Sequence, residues 1–265
     1  MTRIHLFEFT DLPWYPNLFR SMQTDYLQFA ASLGSGHKNL IPLFEKALRQ
    51  AHTSQIVDLC SGGMGPWKNL IRQLDEGGLS VSVTLTDKFP NPNSITKMDE
   101  ALRSRVQYCT EPVDATDVPA HLAGMRTLFE GFHHFKPDQA REILRDAQEK
   151  GRAIGIFEAS LIPPSGFILL ILSPIITLLT YVLVTPFIRP FTIARIFWTY
   201  ILPVVPLATC WDGIVSLLRV YSVEELNGLV EPLKRGNYAW EAGQAGTGTP
   251  VFNFTYLIGY PIEDA

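Results

Sequence analysis

Cysteine is scarce in this chain. Its three cysteines, Cys60, Cys109 and Cys210, are widely spaced, form no Cys-x-x-Cys pair and leave an odd count. A disulfide framework and a cysteine-based zinc site are therefore not expected, and a reducing compartment fits. Basic runs are missing too. With a formal net charge of −4 and a pI near 5.9, the chain lacks the electrostatic footprint of a duplex nucleic-acid binder. The segment Met1 to Asp11 lacks the basic start, apolar core and small-residue cleavage site of a secretory signal. Charge itself is absent from one long stretch: between Glu158 and Asp212 the charged residues are Arg189 and Arg195 alone. This shift in composition divides the chain into a polar α/β body and an apolar insertion. The expected organisation is an N-terminal helical cap over 1–50, a body over 51–160 and 220–265, and the insertion over 161–219.

What is present is organised around Ile56 to Trp67. Ile56-Val57-Asp58-Leu59 is a short apolar run ending near an acid, and Cys60-Ser61-Gly62-Gly63-Met64-Gly65 breaks it into a turn. Trp67 to Leu74 can then form a helix. Strand, tight turn and helix together make the opening unit of a nucleotide-binding sheet, because glycines let main-chain N–H groups approach a ligand. The β-branched run Val81 to Thr86 reads as a second strand that ends at Asp87-Lys88. An acid at that place suits a ribose hydroxyl. Val106 to Cys109, Met125 to Phe129 and Ala153 to Phe157 read as further strands, with a helix over Gln139 to Lys150. Ser222-Val223-Glu224-Glu225 is a capping box that starts a helix reaching about Lys234. Tyr238 to Ala242 and Val251 to Tyr260 follow as two strands joined by a glycine-rich linker, Gly243 to Thr249. Strands alternating with helices predict a mostly parallel sheet covered on both faces. At the N-terminus, helices are expected over Phe19 to Leu33 and Leu40 to Ala51, with Gly34-Ser35-Gly36 as the stop between them.

In this order the signals resemble the class I S-adenosylmethionine-dependent methyltransferases. The resemblance covers most of 50–160 and 222–262. It implies an α/β, Rossmann-like three-layer sandwich: a seven-stranded, mostly parallel sheet closed by a C-terminal antiparallel hairpin, here with an apolar helical insertion. It implies S-adenosyl-L-methionine as cofactor, held around Asp58, Cys60, Ser61, Gly62 and Gly63 at its methionine part and by Asp87 and Lys88 at the ribose. The pair Asp114-Ala115 would border the adenine. Glu130, after the fourth strand, would bond the cofactor amine or stabilise its own loop. The family's Asp-x-Gly-x-Gly-x-Gly is altered, with Cys60 and Met64 at glycine positions. A dinucleotide fold fits less well, since Gly-x-Gly-x-x-Gly does not directly follow the strand.

Methyl transfer from a sulfonium is a direct displacement, so a general base matters only where the acceptor must lose a proton. His133 and His134, in the loop after the fourth strand, are the candidate catalytic residues. No third ligand stands near them in sequence, so no metal is expected. Gly166 to Ile188 is long enough to cross a bilayer, but Pro174 and Pro186 interrupt it, and Ile196 to Thr209 is short for a span. Three readings are open: a two-span hairpin, a monotopic segment whose Arg189 and Arg195 reach headgroups, and a homo-oligomer interface or pocket lid. The monotopic one is preferred, because two spans would put both arginines on the far side. The expectation is therefore an enzyme at the cytoplasmic face of a membrane, in contact with lipid. It would methylate a small hydrophobic acceptor such as a lipid, quinone or isoprenoid, without a nucleic-acid partner. The alternative is a non-catalytic cofactor-binding or structural membrane-associated protein of the same fold.

Overall fold

A computed structural model describes residues 3–32, 36–90, 100–163, 165–234 and 236–262. The strands are β1 (Gln55–Asp58), β2 (Ser82–Leu85), β3 (Val106–Tyr108), β4 (Met125–Phe129), β5 (Ile154–Leu161), β6 (Tyr238–Gly246) and β7 (Phe252–Pro261). They form one sheet of order β3-β2-β1-β4-β5-β7-β6. The run from β3 to β5 is parallel, and β7 lies antiparallel between β5 and β6. The helices are α1 (Asn17–Ser32), α2 (Ile41–Gln50), α3 (Trp67–Glu76), α4 (Glu100–Arg103), α5 (Pro137–Glu149), α6 (Ser165–Val184), α7 (Ile193–Ile196), α8 (Val204–Arg219) and α9 (Val223–Val230).

Alternation along the strands builds two cores. Ile56, Val83 and Met125 point to one face and pack with Phe44 of α2 and with Trp67 and Leu70 of α3. Val57, Leu128 and Ile156 point to the other and pack with Ile143 and Leu144 of α5 and Leu229 of α9. Each such side chain contributes about 1.5–3 kcal/mol on burial. The second face also buries charge. Arg126 of β4 is 1% exposed, and its Nη1 donates to Asp146 Oδ2 on α5 at 2.6 Å.

Several boundaries differ from the sequence reading. β5 continues past Phe157 to Leu161 because β7 pairs with it to the end, Leu161 opposite Phe252. β6 continues through the expected glycine linker to Gly246. Gly243 is in that strand because a Cβ there would stand 2.7 Å from the Tyr256 hydroxyl, so only glycine lets the tyrosine lie across it. The predicted stop at Gly34-Ser35 lies outside the described residues.

The apolar segment forms α6, a 3-10 turn (Thr185–Phe187), α7, a π-helical turn (Phe197–Ile201) and α8. Ser165–Phe187 is long and apolar enough to cross a membrane, with mean hydropathy 2.6. It is not a core helix: Ile168, Ile171, Ile175, Leu179 and Leu183 are all exposed. Their spacing puts them on one stripe. The opposite side is tied to α1. Tyr181 stacks on Tyr26 with ring centroids 4.5 Å apart, and its hydroxyl donates to Met22 O at 3.2 Å. Thr180 and the Tyr26 hydroxyl are 2.7 Å apart. Near the start of α6, Ser165 Oγ donates to Pro250 O at 2.8 Å. Arg195 does not reach outward. It is 2% exposed and paired with Asp25 of α1, because a buried guanidinium needs a counter-charge.

The Arg126–Asp146 pair yields a stability test. Asp146→Ala strands a buried guanidinium, so unfolding free energy should drop by about 3–5 kcal/mol. Urea unfolding followed by circular dichroism measures it. A loss below about 1 kcal/mol would show that the pair does not carry this charge.

Candidate functional site

At the carboxyl end of β1 the chain folds into its glycine turn. Asp58 is 2% exposed, beneath the turn rather than on its surface. Its Oδ1 accepts from Thr127 Oγ1 and its Oδ2 from Ser61 Oγ, each at 2.6 Å. Burial pushes this acid up to about 6 despite those donors. The turn needs left-handed backbone at Cys60, φ +56°, and at Gly62, φ +56°. Glycine adopts that conformation freely, whereas cysteine pays about 1 kcal/mol or more. Cys60 therefore carries backbone strain that a glycine at this position would not. Gly63 is buried beside it.

The turn is laced to the end of β2. Asp87 Oδ2 accepts the Gly62 N–H and Oδ1 the Phe89 N–H, both at 2.7 Å. Burial raises its pKa. Ser61 N–H donates to Thr86 O at 2.9 Å. Lys88 Nζ pairs with Asp114 Oδ2 at 3.1 Å on the surface. Asp114 Oδ1 caps its own turn by accepting from Thr116 N and Oγ1, and the Thr116 N–H leads in lowering its pKa. Ala115 is in the core with Val57 and Leu59. Asp87, Lys88, Asp114 and the glycine turn thus gather at the carboxyl ends of β1 and β2. There the strand order reverses between β1 and β4, the switch point at which doubly wound sheets bind their ligands.

Beside the glycine turn lies the end of β4. Glu130 has φ +51°, and its Oε1 accepts the Ala159 N–H at 2.8 Å. Crowding by protein, and next the charge of Glu158, push it up to about 8. The two histidines diverge. His133 is 2% exposed, with Nδ1 2.9 Å from Glu158 Oε1, and its own N–H donates to that oxygen at 3.0 Å. Burial alone would raise Glu158, but His133 holds it below its ordinary value. His134 keeps an open edge and sets Nδ1 2.7 Å from Asp11 Oδ1. Against burial, Asp11 raises its pKa, while the same contact holds Asp11 well below the carboxylate range.

Glu8, Asp11 and Arg219 also belong to this neighbourhood, and sequence reasoning passed over them. Arg219 is 1% exposed; its Nη1 donates to Glu8 Oε1 at 2.8 Å and Asp11 Oδ2 at 2.7 Å, and its Nη2 to His134 O at 2.9 Å. Arg3 donates to the His133 and Phe135 carbonyls at 3.1 and 2.9 Å. The only sequence signal for these partners was an arginine at the end of an apolar helix, which must find acids somewhere.

No protein-family model and no curated protein sequence matches the chain. Solved structures do match. Human N-acetylserotonin methyltransferase in complex with SAM is 12% identical with TM-score 0.50, over 93% of this chain and 58% of that one. A Rhodobacter sphaeroides protein described as a Zn-dependent alcohol dehydrogenase is 14% identical with TM-score 0.50, over 92% and 98%. An O-methyltransferase family protein from Burkholderia thailandensis is 14% identical with TM-score 0.46, over 86% and 57%. The chain thus spans little more than half the length of these two methyltransferase structures. At such identities the likeness is one of fold: a Rossmann-like sheet, mostly parallel, closed by an antiparallel hairpin.

Cys60 and Gly131 should be energetically coupled. A Cβ at Gly131 would stand 3.1 Å from Cys60 Cβ, while Gly131 itself has φ −133°, which alanine accepts. Gly131→Ala should therefore destabilise by about 1–3 kcal/mol through overpacking, and Cys60→Gly should recover much of that loss. Thermal or urea unfolding of the four-protein cycle measures the coupling. Additive effects would mean that the two loops are not in contact.

Proposed function

We propose that the chain is an S-adenosylmethionine-dependent methyltransferase acting on a hydrophobic small molecule at a membrane surface. The observation that carries the reading is the switch point at the carboxyl ends of β1, β2 and β4. A left-handed glycine turn is held there against the acid ending β2, by the Gly62 N–H on Asp87. A neighbour of similar fold is a methyltransferase in complex with SAM. In this reading the main chain of Cys60 to Gly63 receives the methionine part, with Asp58 bracing it from below. Asp87 and Lys88 meet the ribose, Asp114 and Ala115 border the adenine, and Glu130 faces the cofactor amine. The cofactor supplies the reactive methyl carbon; the protein supplies alignment and a net acidic setting for a sulfonium. His134, with its open edge, is the base for an acceptor that must lose a proton. His133 is enclosed and serves position rather than proton transfer.

The apolar side of α6 supports the membrane part of the reading. A 20-residue helix is ~30 Å long, enough to cross a bilayer. Yet α6 is fastened at both ends, by Ser165 to the β6–β7 connection and by Tyr181 to α1. A helix fastened this way lies along the body and offers its stripe of Ile168, Ile171, Ile175, Leu179 and Leu183 to one leaflet. Arg195, turned in toward Asp25, takes no part; Arg189 is exposed and available to headgroups.

Isothermal titration of the full chain with S-adenosylmethionine tests the cofactor. Binding is expected, and Asp87→Ala should weaken it by about 1.5–3 kcal/mol, the scale of charge-assisted hydrogen bonds. Absence of binding at millimolar cofactor would falsify the reading. For the membrane, wild type should float with phosphatidylcholine–phosphatidylglycerol vesicles, whereas Ile171→Glu with Leu179→Glu should stay in the soluble fraction. Equal flotation of both would remove α6 as the docking face.

A further inference from the structure

A buried imidazole nitrogen is left over from the site. His133 Nε2 is shielded from solvent and has no hydrogen-bond partner among the described residues. The ring is fixed from its far side by Glu158, whose Oε1 lies 2.9 Å from Nδ1. A carboxylate so placed takes the Nδ1 proton, which leaves Nε2 as a lone pair. That lone pair faces Glu8 Oε1 at 3.5 Å. Arg219 Nη1 donates to that oxygen at 2.8 Å but no described donor reaches Nε2, so a positive centre between nitrogen and oxygen would remove the repulsion that remains. A shared proton would draw nitrogen and oxygen to about 2.7–2.9 Å. The observed separation is close to that of two ligands on one tetrahedral metal, about 3.3–3.4 Å for bonds of about 2.0–2.1 Å. His134 completes a set of three: one ligand atom each of Glu8, His133 and His134 lie within 4.8 Å of one another, and His134 Nδ1, 3.8 Å from Glu8 Oε2, would exchange its 2.7 Å contact with Asp11 Oδ1 for the cation.

The geometry points to a binding site for a first-row divalent transition cation such as Zn2+, made by Glu8, His133 and His134; a cation bound there takes the lone pair that His134 offers as a base, so the metal-loaded and base-competent states are alternatives. Two imidazoles and a carboxylate are a donor set such metals accept. Glu158 is the outer carboxylate that fixes the tautomer and orientation of His133. Local charge allows the cation. Glu8, Asp11 and Glu158 carry negative charge, Arg3 and Arg219 positive, so neutral imidazoles leave an excess of one negative charge. The sequence reading expected no metal because it found no third ligand near the histidines. The third ligand comes from the N-terminal segment, which the cation would clamp to the loop after β4.

Binding is measured on the full chain, freed of any purification tag and stripped with EDTA, in the absence of cofactor and acceptor. Its outcome is thereby separate from that of the methyl-transfer reading. Zn2+ titration should show stoichiometric binding and a raised melting temperature, and Co2+ should give visible d–d bands. His133→Gln and Glu8→Gln should abolish these signals. Glu158→Gln should weaken affinity by about 10–100-fold. Should a variant fail to fold, X-ray absorption of Zn2+-loaded wild type decides alone: imidazole and oxygen scattering without sulfur is expected. No binding by wild type, binding that survives in folded His133→Gln and Glu8→Gln proteins, or a sulfur ligand would each overturn the proposal.

Discussion

One buried guanidinium holds three distant parts of this molecule in register. Arg219 ends the apolar segment, Glu8 and Asp11 belong to the N-terminal segment, and the carbonyl of His134 belongs to the loop after β4. Withdrawing an arginine from water costs several kcal/mol, and only a full set of acceptors offsets that cost. The arrangement is therefore close to all-or-none. With one carboxylate lost, the guanidinium is stranded, and the other two parts lose their common anchor. Placement of the histidine loop thus depends on residues more than two hundred positions away from the end of α8.

The sheet follows a different logic, and one more easily read in sequence. Its strands carry β-branched and apolar residues with a period of two, its helices carry a period near 3.6, and turns are marked by glycine, proline and acids. Such signals are local, so the order of elements and the closing hairpin could be foreseen from Ile56, Val83, Ser222 and their neighbours. Errors fell where a tertiary partner overrode local preference. Gly243 reads as a linker until Tyr256 is seen lying over it, and β5 reads as short until β7 pairs along its whole length.

The site was legible in part for the same reason. Asp87 and the glycine turn are marked by their place at strand ends, and the structure does bring them together. Asp58 and His133 have the right residue types, but both are enclosed, a property set by what covers them and not by their neighbours in sequence. Glu8, Asp11 and Arg219 carry no local mark. Arg195 illustrates the limit. A lone arginine between apolar runs suggests a headgroup contact, and only the fold reveals Asp25 opposite it.

The stripe along α6 has a consequence for the protein as a colloid. Its isoleucines and leucines are kept outward by the Tyr26–Tyr181 stack on the opposite side, so the helix cannot roll over to hide them. In plain buffer the remaining ways to cover that surface are detergent, lipid or another copy of the chain. The exposed stripe, rather than the modest net charge, is thus the feature that favours association.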